Sequence, residues 1–243
     1  MKGMTTNPSN PSVPAAAVLG LLLAIGLGAA GAFVAKSVHD AKAADRYVTV
    51  RGLSEREEPA NLVMWPIVFG ATGDELGALQ AKLDGSAAKI ASFLQARHFT
   101  AEEWTLGAPR ITDLEAQSYS SANRPAHRYT GEATITLRSL SVVAVMDAMK
   151  HSGELVRDGV ALVNNYGATY LYTELERIKP EMIAAATKDA RRAAEQFAND
   201  SGSRVGSIRS AQQGYFTIED RDAFSPEFKK IRVVTTVEYF LED

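Results

Sequence analysis

Between Val13 and Ala35 the chain carries no charged side chain, and this run limits the fold more than any other feature. The hydrocarbon core of a bilayer takes about 20 mostly apolar residues as a helix. Two roles suit such a run near an amino terminus. A cleaved leader has an apolar core of roughly 7–15 residues followed by a small-x-small site. Ala41-Lys42-Ala43 has that pattern, but the run is too long for a leader core. The expectation is an uncleaved transmembrane anchor over residues 13–38, with a cleaved form as the alternative. Residues 1–12 are rich in Pro, Ser and Asn and read as a disordered tail. Residues 39–46 read as a short polar linker.

Charge around the run bears on orientation. Lys2 and the terminal amine lie on one side, and Lys36, Lys42, Arg46 and Arg51 on the other. Counted alone, this argues for a cytoplasmic body. Within the run, Gly20, Ala24, Gly28 and Ala32 are spaced by four, which lets two helix backbones approach closely. A weakly hydrophobic anchor with no helix partner has the same composition.

The rest of the chain is a globular body. The composition, 46% hydrophobic and 23% charged, excludes a disordered or fibrous chain. Of 26 Lys and Arg, two (Lys2 and Lys36) flank the apolar run, leaving 24 against 29 acidic residues. A mildly acidic body lacks the basic face that nucleic acid requires, so no nucleic-acid partner is expected. Arg191-Arg192 and Lys229-Lys230 are short pairs and read as solvated surface. The absence of cysteine excludes disulfides, thiolate catalysis and zinc-thiolate sites.

Strand and helix patterns alternate from residue 47 onward. Tyr47 to Leu53 reads as a strand, Ser54 to Ala60 as a charged turn, and Leu62 to Phe69 as the returning strand. Pro66 cannot donate to a ladder, which predicts an edge or a bulge there. Thr72 and Glu75 have capping-box spacing. Leu76, Leu79, Leu83, Ala87, Ile90 and Leu94 form one face of the helix over 72–97. Trp104 to Thr112 and Tyr129 to Leu137 read as strands, with an exposed loop over Glu115 to His127. Ser141 is placed to cap a short helix bearing Val142, Val145, Met146 and Met149, ended by Gly153. Residues 156–163 and 168–173 read as a strand pair joined near Asn164-Asn165-Tyr166-Gly167. A third helix runs from about Glu176 to Asp200, with Ile183, Ala186, Ala190, Ala194 and Phe197 inward. Val205 to Gln213 and Lys230 to Leu241 close the chain as strands. Arg232 and Glu238 would give the last of these partial protection as an edge. The pattern predicts an α+β fold over residues 47–243, with largely antiparallel sheets and three packed helices, preceded by one transmembrane helix. It reads as one compact unit or two intertwined subdomains.

With the body laid out, Val48-Thr-Val-Arg-Gly52, Glu55 and Pro59-Ala-Asn61 resemble the opening strand and turn of SIMPL-domain proteins. The helix with Ala186, Ala190, Ala194, Ala198 and Gly202, then Val205-Gly206-Ser-Ile208, is similar to that family's alanine-rich helix and exit. Ile231 to Phe240 fits its last strand. The resemblance covers roughly residues 46–242, and its weight lies in the order and spacing of the motifs. Asn61 stands where the family pattern has an acidic residue. The resemblance implies an α+β fold and a bacterial envelope location. It also implies a link, in some relatives, to oxidative-stress defence, and in one a large ring-like oligomer. It places the body in the periplasm, against the charge count, with the anchor in the inner membrane. No catalytic residue is carried over.

Several residue types carry chemical potential. His39, His98, His127 and His151 are scattered without metal-site spacing. Glu55, Glu57 and Glu58 beside Arg51 and Arg56 read as a solvated tip, and Glu102-Glu103 likewise. Tyr47, Trp65, Phe69 and Trp104 fall in strand patterns and read as packing residues. The chain has no phosphate loop, dinucleotide fingerprint or nucleophile elbow. The expectation is a non-enzymatic structural or interaction protein: no catalytic, cofactor or metal residues, no cofactor, the membrane as partner through residues 13–35, and a homo-oligomer. The alternative is a hydrolase or small-ligand or peptide-binding module using a cleft between subdomains.

Overall fold

A computed structural model describes residues 13–44, 46–117, 126–163 and 167–242. The proposed tail at 1–12 therefore lies outside the described residues, as do residues 118–125 of the predicted loop and the junction at 164–166. Helix α1 (Val13–Ala44) contains the apolar run and takes in residues 39–44 of the segment read as a linker. Ala17–Ser37 is long and apolar enough to cross a membrane. All its side chains are exposed, with Leu27 and Phe33 at 70% and 78%. Apolar surface of that extent is stable in lipid and costly in water.

The remaining elements follow in the order β1 (Tyr47–Pro59), β2 (Leu62–Gly73), α2 (Leu76–Ala96), β3 (Trp104–Leu106), β4 (Arg110–Asp113), α3 (Leu114–Gln117), β5 (Tyr129–Ser139), α4 (Val142–Lys150), α5 (Gly153–Arg157), β6 (Ala161–Leu162), β7 (Thr169–Leu171), α6 (Leu175–Asp200), β8 (Arg204–Gln213), β9 (Thr217–Asp220) and β10 (Phe228–Glu242). This is an α+β fold with antiparallel pairing. The chain divides into two units. One holds the described residues up to Gly52 with Thr187–Gln213 and those from Thr235; the other holds Leu53–Ala186 and Gly214–Val234. The division falls within β1, α6 and β10.

In the larger unit β2 and β5 pair without a break from Val63↔Ser139 to Gly73↔Tyr129. Odd-numbered residues of both strands share one face. Val63, Trp65, Ile67 and Phe69 are buried there with Ala133, Ile135 and Leu137. Helix α2 covers that face with Leu79, Leu83, Ala87, Ile90, Phe93 and Leu94. Gly131 permits the close approach: a Cβ there would lie 3.0 Å from Leu83 Cδ1 and 3.3 Å from Leu79 Cδ2. Leu76, placed in the stripe by spacing, is 49% exposed, because it opens the helix where the chain has just left the sheet. Thr72 belongs to β2, and the cap position falls to Glu75 without a side-chain hydrogen bond. The capping box is therefore not formed.

Pro66 lies opposite Thr136 in the unbroken ladder. On the other side of β2, β7 pairs with Leu62–Met64 and β6 with Phe69 and Gly70. The Val68 carbonyl accepts from Val163 N at 2.9 Å on that side. Residues of the same parity share a side, so Pro66 directs its missing donor into the interval between β7 and β6. A proline is tolerated inside a central strand there because no ladder bond is lost.

Several boundaries differ from expectation. The charged segment 54–59 is strand, not turn. Exposure alternates with period two, the odd residues out and Ser54, Arg56 and Glu58 half-buried. Cross-strand ion pairs give these charges partners, which a composition reading takes for a loop. Asn61 supplies the turn: its Oδ1 accepts from Thr173 N at 2.8 Å and Thr173 Oγ1 at 3.2 Å. An acidic residue would accept the same two bonds. Trp104–Thr112 is split into β3 and β4, both on β5. Ser141 stands at the cap of α4 but makes no side-chain cap bond, and Gly153 opens α5 instead of ending α4. The strand expected at 156–163 shrinks to β6.

A second cluster of the larger unit packs Tyr172, Ile178, Met182 and Ala186 against Ile231 and Val233. In the smaller unit Ala190 and Ala194 pack on Val48, Val237 and Tyr239. The buried face of α6 is thus Ile178, Met182, Ala186, Ala190, Ala194 and Ala198; Ile183 is half-buried and Phe197 is 51% exposed. Alanines let the helix lie close to the sheet, which leaves no room for Phe197 on that face. Ile231, Val233, Thr235, Val237 and Tyr239 alternate inward as expected. Strand β10 is interior, flanked by β1 and by β8 and β9, so Arg232 and Glu238 guard no edge. Strand β1 pairs antiparallel with it, bonded at Ala60 N to Glu227 O and Leu241 N to Arg46 O.

Candidate functional site

The alternation of β10 buries Ile231 and Val233 and turns Lys230, Arg232 and Val234 to the opposite face. On one side β1 presents Glu55. Lys230 Nζ lies 3.3 Å from Glu55 Oε2 and Arg232 Nε 3.7 Å from Oε1. On the other, β9 sets Thr217 opposite Arg232 and Glu219 opposite Lys230. The chain reaches β9 past Gly214, whose N donates to Val234 O at 2.8 Å. A Cβ on Gly214 would meet that carbonyl oxygen at 2.6 Å, so only glycine passes there. Tyr215 follows, 95% exposed. These residues enclose a cleft of about 340 Å³ on the larger unit.

The lining of the cleft is chemically mixed. Two cations, two carboxylates and a phenol complement a polar or zwitterionic group. Its hydroxyls are Thr217 and Tyr215, and its central carboxylate, Glu55, is held by both cations. A general base must lie within reach of the proton it takes; among the described lining residues Glu55 is the carboxylate held by both cations. Glu55 was read as part of a solvated tip, and Lys230 as solvated surface. Pairing across β1 and β10 brings them together. The companion Lys229 is buried and bonded to Asp220, which corrects the surface reading for that residue, while Lys230 is exposed.

The other weighed residues lie apart. The side chain of His39 is outside the described residues. His98 is exposed at the end of α2 with φ 65°, a conformation that closes the helix. His151 caps its own helix, with Nδ1 2.9 Å from Asp147 O. Among the described residues no three His, Asp or Glu form a group able to hold a metal. Trp65 and Phe69 are core, and Trp104 is half-buried. Tyr47 is 45% exposed with the Arg209 guanidinium 4.0 Å from its ring centre. Arg191 and Arg192 are exposed and paired within α6 to Glu195 and Asp189. Glu102 is exposed; Glu103 is not merely solvated. Its carboxylate accepts Ser139 Oγ at 2.6 Å and Thr100 N at 2.9 Å, and these bonds, the serine's first, hold it below the usual glutamate range.

His127 belongs to a network at the start of β5. Its Nδ1 lies 3.1 Å from Asp74 Oδ2, and Arg128 N donates to Asp74 Oδ1 at 3.1 Å. Arg128 Nη2 donates to Asp113 Oδ2 at 2.9 Å. The hydrogen bond from His127, then that from the Arg128 amide, holds Asp74 below the ordinary aspartate value; the Arg128 side chain does the same to Asp113. A carboxylate with a depressed folded-state pKa stabilises above its unfolded value and loses that contribution as pH falls through the folded value. The window therefore lies below about pH 4. Between about pH 5 and pH 2.5 the protection factor of the Arg128 amide should fall, while those of mid-β5 amides hold. Hydrogen exchange by mass spectrometry measures this. Asp74→Asn should remove the pH dependence at Arg128; an unchanged profile would contradict the assignment.

None of the curated proteins compared with the chain matches it. The sequence profile of one family, described as SIMPL, protein of unknown function (DUF541), matches residues 48–239, from the second residue of β1 to near the end of β10. That span takes in both sheets, the helices between them and the cleft on β10, so the chain belongs to the SIMPL family.

Proposed function

We propose that this is a single-pass inner-membrane protein with its body in the periplasm, acting by binding and self-association instead of catalysis, in the envelope's response to oxidative or other stress. The observation that carries the reading is α1, a helix with lipid-compatible side chains on every side that leads directly into the SIMPL domain. Two features support self-association. Around Gly20, Gly26, Gly28 and Gly31 nothing lies within 4 Å of the space a Cβ would take, so a second helix can approach closely. Strands β1 and β8 end the four-stranded sheet and offer backbone groups for pairing. Confinement to a plane raises the effective concentration of such contacts. The mixed-charge cleft favours a second reading, a module that binds a small polar ligand or peptide.

Sedimentation of the full chain in detergent at micromolar concentration tests the association. A mass of two or more chains is expected, and Gly28→Leu should reduce it if the anchor contributes. Monomers throughout would contradict it. Turnover in a hydrolase screen, abolished by one Ser, His, Asp or Glu substitution, would overturn the non-catalytic reading.

A further inference from the structure

We propose that a second cleft of the larger unit, between α2 and the end of β2, binds an extended oxyanion of the pyrophosphate class. On α2 the residues Lys82, Gly85, Ser86 and Lys89 follow helical spacing and face one way. They line a cleft of about 400 Å³ whose far wall includes Gly70, Thr72 and Gly159. Among the described residues no carboxylate lines it.

The two lysines are held differently from several cations of this unit. Arg56, Arg97, Arg128, Lys179, Lys229 and Lys230 each meet a carboxylate. Lys82 Nζ instead donates to Thr72 O at 2.8 Å, and Lys89 Nζ to Asp158 O at 2.7 Å. A carbonyl fixes an ammonium without neutralising it. Each lysine keeps two N–H donors, in a position already set. Ser86, half-buried between them, adds a hydroxyl donor.

The walls are small where bulk would close the cleft. Gly159 has φ +83°, and a Cβ there would stand 3.7 Å from Lys89 Nζ. A Cβ on Gly70 would meet Val163 Cγ2 at 2.8 Å and Gly131 O at 3.2 Å. Among the described residues no nearby acid lines the cleft, and Asp158 meets Lys89 through its backbone carbonyl. Asp74 feels Lys82 but is bonded by His127 and Arg128. Glu132 has its Cγ 3.8 Å from the Gly70 Cβ position, and its carboxylate is not among the lining groups.

Geometry selects the ligand's length. Lys82 and Lys89 are seven residues apart, so their Cα atoms are separated by roughly 10 Å along the helix. One phosphate group reaches one lysine comfortably. Two linked anionic groups reach both, with Ser86 between.

The test is calorimetric titration of the full chain in a non-ionic detergent with sodium pyrophosphate, then with orthophosphate. Pyrophosphate should bind saturably at one site and more tightly than orthophosphate. Lys82→Gln or Lys89→Gln should each weaken it about tenfold or more, the loss of one charge-assisted contact. The double Gln variant should abolish binding with its melting curve unchanged, and the double Arg variant should retain it. Lys188→Gln, on exposed α6, should bind as wild type. Absence of saturable binding to the wild type would overturn the proposal. So would equal weakening by Lys188→Gln, which would mark diffuse charge attraction, or equal affinity for the two anions.

Discussion

Leu83→Ala is expected to destabilise the larger unit by about 2–5 kcal/mol, the range for truncating a buried leucine. Leu83 is 2% exposed at the middle of α2, and its side chain rests on the bare backbone of Gly131. The cost depends on how far the surroundings collapse into the space vacated. Here β5 is held by β2 on one side and by β3 and β4 on the other, so the sheet cannot follow the lost methyls. The upper part of the range is therefore expected. The adjacent Lys82 is exposed, and Lys82→Ala should change stability by no more than about 0.5 kcal/mol. Denaturant unfolding of the full chain in detergent, followed by tryptophan fluorescence, measures both. The two tryptophans, Trp65 and Trp104, both belong to the larger unit and report on it. Equal costs at positions 82 and 83 would show that the buried face of α2 is wrongly assigned.

The second large effect concerns α1. Arginine near the centre of a membrane span costs about 2.5–3.5 kcal/mol on insertion scales. Leu23→Arg with Leu27→Arg puts two on one face, roughly 5–7 kcal/mol in all. The helix has little to spare, since Gly and Ala fill much of Ala24–Ala32. The double variant should leave the membrane fraction on alkaline extraction, whereas Leu23→Ala with Leu27→Ala should stay. Retention of the arginine variant in the extracted membrane would contradict a spanning role for α1.

What was legible in the sequence follows from which force acts locally. The span, the α2 stripe from Leu79 to Leu94 and the alternation over Ile231–Tyr239 each arise from one face meeting one apolar environment, so periodicity reveals them. The second half of β1 was read as a turn because Glu55, Arg56, Glu57 and Glu58 carry no apolar signal. Glu55, Arg56 and Glu57 find partners far along the chain in Lys230, Arg232, Glu181 and Arg221, while Glu58 pairs with Arg56 inside the strand. The same holds for the site. The mixed-charge cleft joins residue 55 to residues 215–219 and 230–234, and no local pattern marks that meeting. Strand β9 escaped notice because its four residues are exposed and are ordered only by pairing with β10. Phe197 was placed inward by spacing alone; the close approach permitted by Ala190, Ala194 and Ala198 turned it out. The lysine cleft was equally hidden, since Lys82 and Lys89 look like any solvated pair until Gly70 and Gly159 are set opposite them.

We propose that α1 spans the membrane and carries the SIMPL domain to its outer side. Paired fusions after Asp243 test it most directly: an alkaline phosphatase active only in the periplasm and a fluorescent protein that matures only in the cytoplasm. An active phosphatase and a dark fluorescent fusion are expected, with both chains retained in membranes after alkaline extraction. An inactive phosphatase with a bright fluorescent fusion would reverse the orientation, and a soluble periplasmic chain beginning near Ala44 would show that the helix is a cleaved leader.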